Sequence, residues 1–407
     1  MKLKTILLAF SSCLLLPAIA QQKFISTRGK EVTDISGKPF IMRGINLGNW
    51  LVPEGYMFKF KEVSSPRLIN ETILELLGPT AANAFWKKYL ANYITAADIH
   101  FLKKIGVNSI RVPFHYKLFT EEDYLGSRGE ARGFALLDSV VRWCKREGIY
   151  VLLDMHCAPG GQTGDNIDDS YGYPFLYDSE ESRALTVATW KKIANHYKNE
   201  TTVLGYDLLN EPIPHFTDTA HFNPLLEPLY KQIVNAVRSV DKNHIVFLGG
   251  AQWDSNFDVF GPPFDSKTVY TFHKYWTKPT QAVIQPYINF RDKYNVPIYC
   301  GETGENNNEW ISTFRATLEE NNIGWHYWPY KKMDNERCII QYKRPAGYDA
   351  IIRYTDSVKK NFGDIRKFRP SDMIAVKKAL EEFVDNCFFN NCIFNKEYME
   401  ALGFKTQ

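Results

Sequence analysis

The feature that most constrains this chain is an alternation. Eight apolar runs, each bounded by Gly, Pro or Asp, are separated by segments whose apolar residues recur at helical spacing. The runs fall near 40–50, 107–114, 149–156, 203–211, 245–250, 269–275, 297–302 and 324–330. Most are continuous, as in "IYVLLDMH" and "IVFLGG", which is the pattern of strands covered on both faces of a parallel sheet. Between them, "ITAADIHFLKKIG" at 94–106 has Thr95 as an N-cap and stops at Gly106. "RGFALLDSVVRWCKREG" at 132–148 places Leu136, Leu137, Val140, Val141 and Cys144 on one stripe. The same reading predicts helices over 181–198, 224–240, 281–294 and 308–321, with 371–386 as a closing helix.

Strands and helices in this order predict an α/β fold, a (β/α)8 TIM barrel. The rival, a doubly wound open sheet, lacks its Gly-rich phosphate fingerprint after the first strand. No internal repeat, low-complexity tract or Pro/Ser linker marks a boundary, so residues 21–407 are expected to form one domain. Within it, 53–92 and 331–370 read as long insertions that elaborate the loops around the C-terminal face of the barrel.

The first residues, "MKLKTILLAFSSCLLLPAIAQQ", have a positive start at Lys2 and Lys4, an apolar stretch from Ile6 to Leu16 and small residues at Ala18 and Ala20. That layout is a secretory signal peptide, residues 1–20, with cleavage expected before Gln21. Its apolar stretch falls short of the about 20 residues a membrane span needs. A secreted or periplasmic protein is expected, with no membrane partner.

Export permits disulfides, and Cys387 and Cys392 are the candidate local pair. Cys144, Cys157 and Cys300 read as small buried hydrophobes. With 49 basic and 46 acidic residues the chain has no basic surplus, so nucleic acid is not an expected partner. A monomer is expected.

In a barrel of this kind chemistry sits at the carboxyl ends of the strands. There the runs carry polar groups that a strand does not need: Arg111 before Val112-Pro113, His156 on the third, Asn210 and Glu211 on the fourth, His273 and Tyr275 on the sixth, Glu302 on the seventh and Trp328 on the eighth. Glu211 and Glu302 belong to strands that face each other across the mouth. Glycoside hydrolysis needs such a pair, one protonated and one ionised. Placing two carboxylates together drives their pKa values apart. Arg111 is a candidate to hold the nucleophile ionised, and Tyr275, on the same strand face as His273, to hydrogen-bond it.

These residues carry a resemblance. "SIRVPF", "LLDMH", "LLNEP", "TFHKY", "YCGETG" and "GWHYWPY" are similar to the site motifs of glycoside hydrolase family 5. The resemblance implies a retaining hydrolase with Glu211 as acid/base and Glu302 as nucleophile. It further implies that Asn210 holds the sugar 2-hydroxyl, that Trp328 floors the −1 subsite, and that His156 and His273 line it. "RGINLGNWLVPEGYMF" at 43–58 and "DMHCAPGGQTGDN" at 154–166 resemble the exo-β-1,3-glucanase branch and bacterial β-glucanases alike, which leaves the linkage open.

The expected substrate is therefore a β-glucan or β-gluco-oligosaccharide. Another β-glycan such as mannan is the alternative, and a non-catalytic sugar-binding barrel the alternative from another class.

In the second stretch Gln162 and Asp165 are candidates to reach sugar hydroxyls, and Glu54 reads equally as a sugar contact or a loop carboxylate. Trp276 ranks first among Trp50, Trp253, Trp276 and Trp310 as a stacking platform. His215 and His221 either flank the cleft or stand in solvent. No cofactor is expected. His156-Cys157 is not a zinc pattern, because adjacent strand residues face opposite ways. Asp165, Asp168 and Asp169 lack the alternation and terminal Glu of a calcium loop.

Overall fold

In the computed structural model, which describes residues 24–406, all eight expected strands form. They are β1 Arg43–Asn46, β2 Ser109–His115, β3 Tyr150–Cys157 and β4 Val203–Asp207. The second half comprises β5 Ile245–Gly249, β6 Thr268–Tyr275, β7 Ile298–Gly304 and β8 Gly324–Trp328. Each pairs in parallel with the next, and β8 pairs with β1 to close a barrel. The closure rules out the open sheet. The expected signal peptide, 1–20, lies outside the described residues.

Register decides which side chains meet. Asn46 stands opposite Arg111, Asp154 opposite Asp207, and His273 opposite Glu302. Residues early in their strands, among them Leu152, Leu204, Phe247 and Tyr299, make an apolar plug with Ile25 and Val32 from a short N-terminal hairpin. The opposite, carboxyl end of the barrel is where the polar groups collect.

The helices around the barrel follow the expected spacing. Ala96–Ile105 starts with a capping box in which Asp98 accepts from the Thr95 backbone, and it ends at Gly106 with φ of 107°. Ala131–Glu147 ends at Gly148 in the same left-handed region. One start was misplaced. The helix expected from 224 begins at Thr219, capped by Asp218, and runs to Val240 through Pro224 and Pro228. Two prolines that normally begin or break helices hid its first turn.

The insertions are also more ordered than expected. Within 53–92, Pro66–Leu77 and Pro79–Tyr93 are helices rather than loop, and the second packs against Met373–Asn386. Phe58 and Phe383 stack at 4.9 Å in that joint. Met373–Asn386 is not the closing element, since Lys396–Ala401 forms a further helix. The buried Lys331 ties these parts together: its Nζ donates to the carbonyls of Tyr93 and Cys387 at 2.7 and 2.8 Å and pairs with Asp98 at 2.9 Å.

Among the described residues no disulfide forms, so the expected Cys387–Cys392 pair is absent. Each thiol instead turns back on a nearby carbonyl, Cys387 on that of Val384 and Cys392 on that of Phe388, both at 3.4 Å. Cys144, Cys157 and Cys300 are buried, as expected. No helix among the described residues is long and apolar enough to cross a membrane.

Candidate active site

Arg111 is the hub of the carboxyl end. It has no exposed surface, so each of its donors needs a protein partner. Nε donates to Asp207 Oδ2 at 2.8 Å, Nη1 to Asn46 Oδ1 at 3.1 Å and to Glu302 Oε1 at 2.5 Å, and Nη2 to Asn210 Oδ1 at 2.9 Å. Asp154 Oδ1 completes the ring at 3.0 Å from Nη2. One guanidinium thus faces three carboxylates. Burial pushes Asp154 and Asp207 up to about 7 against the pull of Arg111. Glu302 makes the closest contact with the guanidinium.

The second oxygen of Glu302 faces donors as well. Tyr275 donates to Oε2 at 3.0 Å, and His273 Nδ1 lies 3.8 Å away. Glu211 approaches the same imidazole, with Oε1 2.9 Å from His273 Nδ1. One carboxylate oxygen of Glu211 and one of Glu302 lie within 4.8 Å of each other. Burial pushes Glu211 up to about 7, and burial likewise pushes His273 down to about 3, leaving its ring neutral. The two glutamates therefore sit in different settings, one beside a guanidinium and one beside a neutral imidazole.

Glu211 does not close its strand. β4 ends at Asp207, and Leu208–Asn210 continue past it as buried backbone outside the strand, the Leu208 N–H still donating to the Phe247 carbonyl. Asn210 N–H donates to the Met155 carbonyl and Ile213 N–H to that of Gln162. Glu211 itself has φ of 48°, a left-handed conformation uncommon for a residue with a Cβ. Such strain persists where the surroundings over-determine it, and it concentrates at functional sites.

His156 and Trp328 face each other, their rings nearly parallel with centroids 5.7 Å apart. His156 Nδ1 pairs with Asp154 at 2.8 Å, and burial pushes the ring down to about 4. Trp328 donates through Nε1 to the Tyr56 hydroxyl at 2.7 Å. Gly48 lets it lie flush, because a Cβ there would stand 2.4 Å from the indole.

These side chains line a cavity of about 700 Å³ together with Glu54, Glu305, Trp253 and Trp276. Arg111 and Asn210 lie beneath its floor. Trp276, on the cavity wall, is 75% exposed. Trp50 and Trp310 are core residues whose indoles donate to backbone carbonyls. His215 lines the cavity, whereas His221 is turned to Asp178 at 2.8 Å.

Besides Asn210, which is buried against Arg111, two expected sugar contacts are absent from the cavity wall. Gln162 is fully buried, and its amide bridges the His156 and Asn210 carbonyls and the Ala158 N–H, so it braces the loop instead. Asp165 is absent from the cavity wall and caps a short turn at Asn166.

Glu54 resolves toward the cavity. It is buried, its Oε1 has no hydrogen-bond partner among the described residues, and burial followed by Glu302 and Glu211 raises its pKa. Glu305, held at both oxygens by Lys332 at 2.8 and 2.9 Å, was not anticipated. Nor were Asp154, Asp207, Asp254, Asn46 and Tyr56. A charged residue inside an apolar run, as in "VLLDMH" and "GYDLL", was the available signal for Asp154 and Asp207.

Two carboxylate–imidazole trios, Asp154–His156–Glu302 and Glu211–His273–Glu302, have potential ligand atoms within 4.8 Å, which spacing along the chain did not reveal. In both, Glu302 already receives Arg111 and Tyr275.

Comparison with known proteins places this geometry. The sequence profile of the family described as Cellulase (glycosyl hydrolase family 5) matches residues 71–334. A protein named beta-xylosidase from Phanerodontia chrysosporium is 30% identical over 269 residues, covering 65% of this chain and 55% of that one. Endoglucanase C of Acetivibrio thermocellus is 26% identical over 314 residues, covering 62% and 88%. The chain thus spans only about half the length of the first relative. In fold it is similar to Thermotoga maritima Cel5A, solved with cellobiose, at a TM-score of 0.51 and 19% identity over 89% of this chain and 97% of that one.

Proposed function

The chain belongs to glycosyl hydrolase family 5, and on that premise we propose that it is a retaining β-glycosidase acting on β-glucans or β-gluco-oligosaccharides. Residues 21–407 form its catalytic unit, exported behind the N-terminal leader. Glu302 attacks the anomeric carbon while the Glu211 carboxyl protonates the departing glycosidic oxygen, so the C1–O bond breaks as an ester to Glu302 forms. Glu211, now a carboxylate, takes a proton from water as that water attacks C1 and releases the ester. Two inversions leave the anomeric configuration unchanged.

The observation that carries this reading is the approach of Glu211 and Glu302 oxygens to within 4.8 Å. Retaining pairs stand about 5–5.5 Å apart, whereas an inverting pair needs about 6.5–9.5 Å for an intervening water. The surroundings of the two groups support the roles. Glu302, held at one oxygen by Arg111 and at the other by Tyr275, is read as the nucleophile. Glu211, pushed up to about 7 by burial, is placed to carry a proton. The unpartnered Glu54 oxygen and the Trp328 ring supply a polar contact and a flat face for the sugar, and the name of the endoglucanase relative supports a glucan.

Proton NMR of the first product from an aryl β-glucoside tests the mechanism. The β-anomer appearing first supports retention, and the α-anomer first overturns it. Product analysis on laminarin, carboxymethyl-cellulose, mixed-linkage glucan, xylan and mannan tests the substrate, and turnover of xylan or mannan alone would displace the glucan reading.

A further inference from the structure

Beneath the acid/base lies a carboxylate that the double displacement does not use. Asp254 has no exposed surface, and its Oδ2 accepts the backbone N–H of Glu211 at 3.2 Å. The same oxygen is 3.1 Å from His273 Nε2. That contact lacks hydrogen-bond alignment, so among the described residues His273 Nε2 and Asp254 Oδ1 are both buried without a partner. Orphaned buried groups call for an explanation. Catalytic hydrogen bonds are often poorly aligned before substrate arrives and tighten in the complex.

The backbone is unusually committed to this placement. Gln252, Trp253 and Asp254 are consecutive left-handed residues with φ of 51°, 61° and 57°, each unfavourable outside glycine. Gly249 leaves the space: a Cβ there would fall 1.9 Å from Asp254 Oδ1. The turn is held by Gln252, whose N–H donates to the Ile213 carbonyl at 2.7 Å and whose Nε2 donates to Asn223 at 2.8 Å. It thus couples β5 directly to the segment bearing Glu211.

We propose that Asp254 is a positioning residue for the acid/base: by accepting Nε2–H of His273 it fixes the imidazole tautomer whose Nδ1 accepts the Glu211 carboxyl hydrogen. A neutral imidazole has one N–H. If Nε2 carries it, Nδ1 at 2.9 Å receives the proton of Glu211 and holds that group as an acid. Without Asp254 the ring is free to carry its hydrogen on Nδ1, donate to the Glu211 carboxylate and favour ionisation. The other charged or titratable groups facing this trio are Asp207 on β4, Arg111 on β2, Asp154 and His156 on β3, Lys274 and Tyr275 on β6, Glu302 on β7, Glu54, and the tyrosines Tyr177, Tyr230 and Tyr287 beside Asp254.

The inference rests on the proposed role of Glu211, and two experiments keep them separate. The first is 15N NMR of histidine-labelled native enzyme, with His273 assigned by its loss in His273→Gln. Protonation at Nε2 is expected, and protonation at Nδ1 overturns the proposal whether or not the protein turns over glycosides. The second compares Asp254→Leu, which removes the acceptor, with Asp254→Asn, whose amide oxygen keeps it. Asp254→Leu is expected to move the alkaline limb of kcat/KM down by about one pH unit, with a larger rate loss on oligosaccharides than on activated aryl glycosides. Asp254→Asn is expected to restore the limb toward its native position. A limb that moves equally in both variants would assign the effect to the charge of Asp254, and one that moves in neither would make it merely structural; either result overturns the proposal. If no β-glycoside is turned over, the proposed function fails and the tautomer alone decides the role of Asp254.

Discussion

Tyr275 and Glu302 are joined across neighbouring strands by a hydrogen bond, the phenolic hydroxyl donating to Oε2 at 3.0 Å while Arg111 engages Oε1. A hydrogen bond to a charged group is worth about 1.5–3 kcal/mol. Tyr275→Phe is therefore expected to lower kcat/KM by about 10- to 150-fold, since each factor of ten takes about 1.4 kcal/mol. Steady-state kinetics check this, and a loss below about twofold would remove Tyr275 from the account.

The pH dependence follows from Glu211. Burial raises its pKa to about 7, so the protonated acid needed to expel the leaving group persists below that pH and is lost above it. The expected kcat/KM falls on the alkaline side of about pH 7, approaching tenfold per unit. Glu211→Gln is expected to abolish that limb and to slow oligosaccharides far more than activated aryl glycosides. A native profile flat to pH 9 would contradict the assignment.

Trp276 is exposed at the cavity wall, its ring centroid 5.3 Å from that of Tyr275. A stacking platform contributes equally to ground and transition states, so its loss raises KM and leaves kcat. Trp276→Ala is expected to raise KM for oligosaccharides by about 2- to 13-fold, the scale of one aromatic contact of about 0.5–1.5 kcal/mol. A fall in kcat alone would place the ring at the reacting sugar instead.

The buried Lys331–Asp98 pair holds the insertions to the barrel. Removing one member strands the other charge, at about 3–5 kcal/mol. Asp98→Ala should lower Tm and the denaturant midpoint markedly, and Lys331→Met should do so less, because Asp98 keeps the Thr95 N–H and hydroxyl and the Tyr330 hydroxyl as donors. Equal losses would show that the Lys331 contacts to Tyr93 and Cys387 dominate.

The strands were legible because a two-sided parallel strand leaves a continuous apolar run, and the site was legible because Glu211, Glu302 and their neighbours interrupt such runs at one end. The helices at Pro66–Leu77 and Pro79–Tyr93 were not foreseen, although Ile69, Ile73 and Leu76 stand at helical spacing; the long stretch between strands one and two read as loop. Gln162 failed as a sugar contact because composition does not tell a polar side chain facing a cavity from one satisfying buried carbonyls. Asp254 was invisible, since its place under Glu211 depends on three consecutive left-handed residues that no local pattern signals. Pairing of Cys387 with Cys392 failed because spacing along the chain does not give the direction of a thiol.

The central claim is that Glu302 forms a covalent bond to the sugar. Its most direct test is mass spectrometry of the peptides from enzyme inactivated by a 2-deoxy-2-fluoro-β-glucoside with a good leaving group. One fluoroglucosyl group per chain is expected, carried by Glu302 and absent from the Glu302→Gln variant. A label on another residue, or full turnover of the reagent by Glu302→Gln, would contradict it.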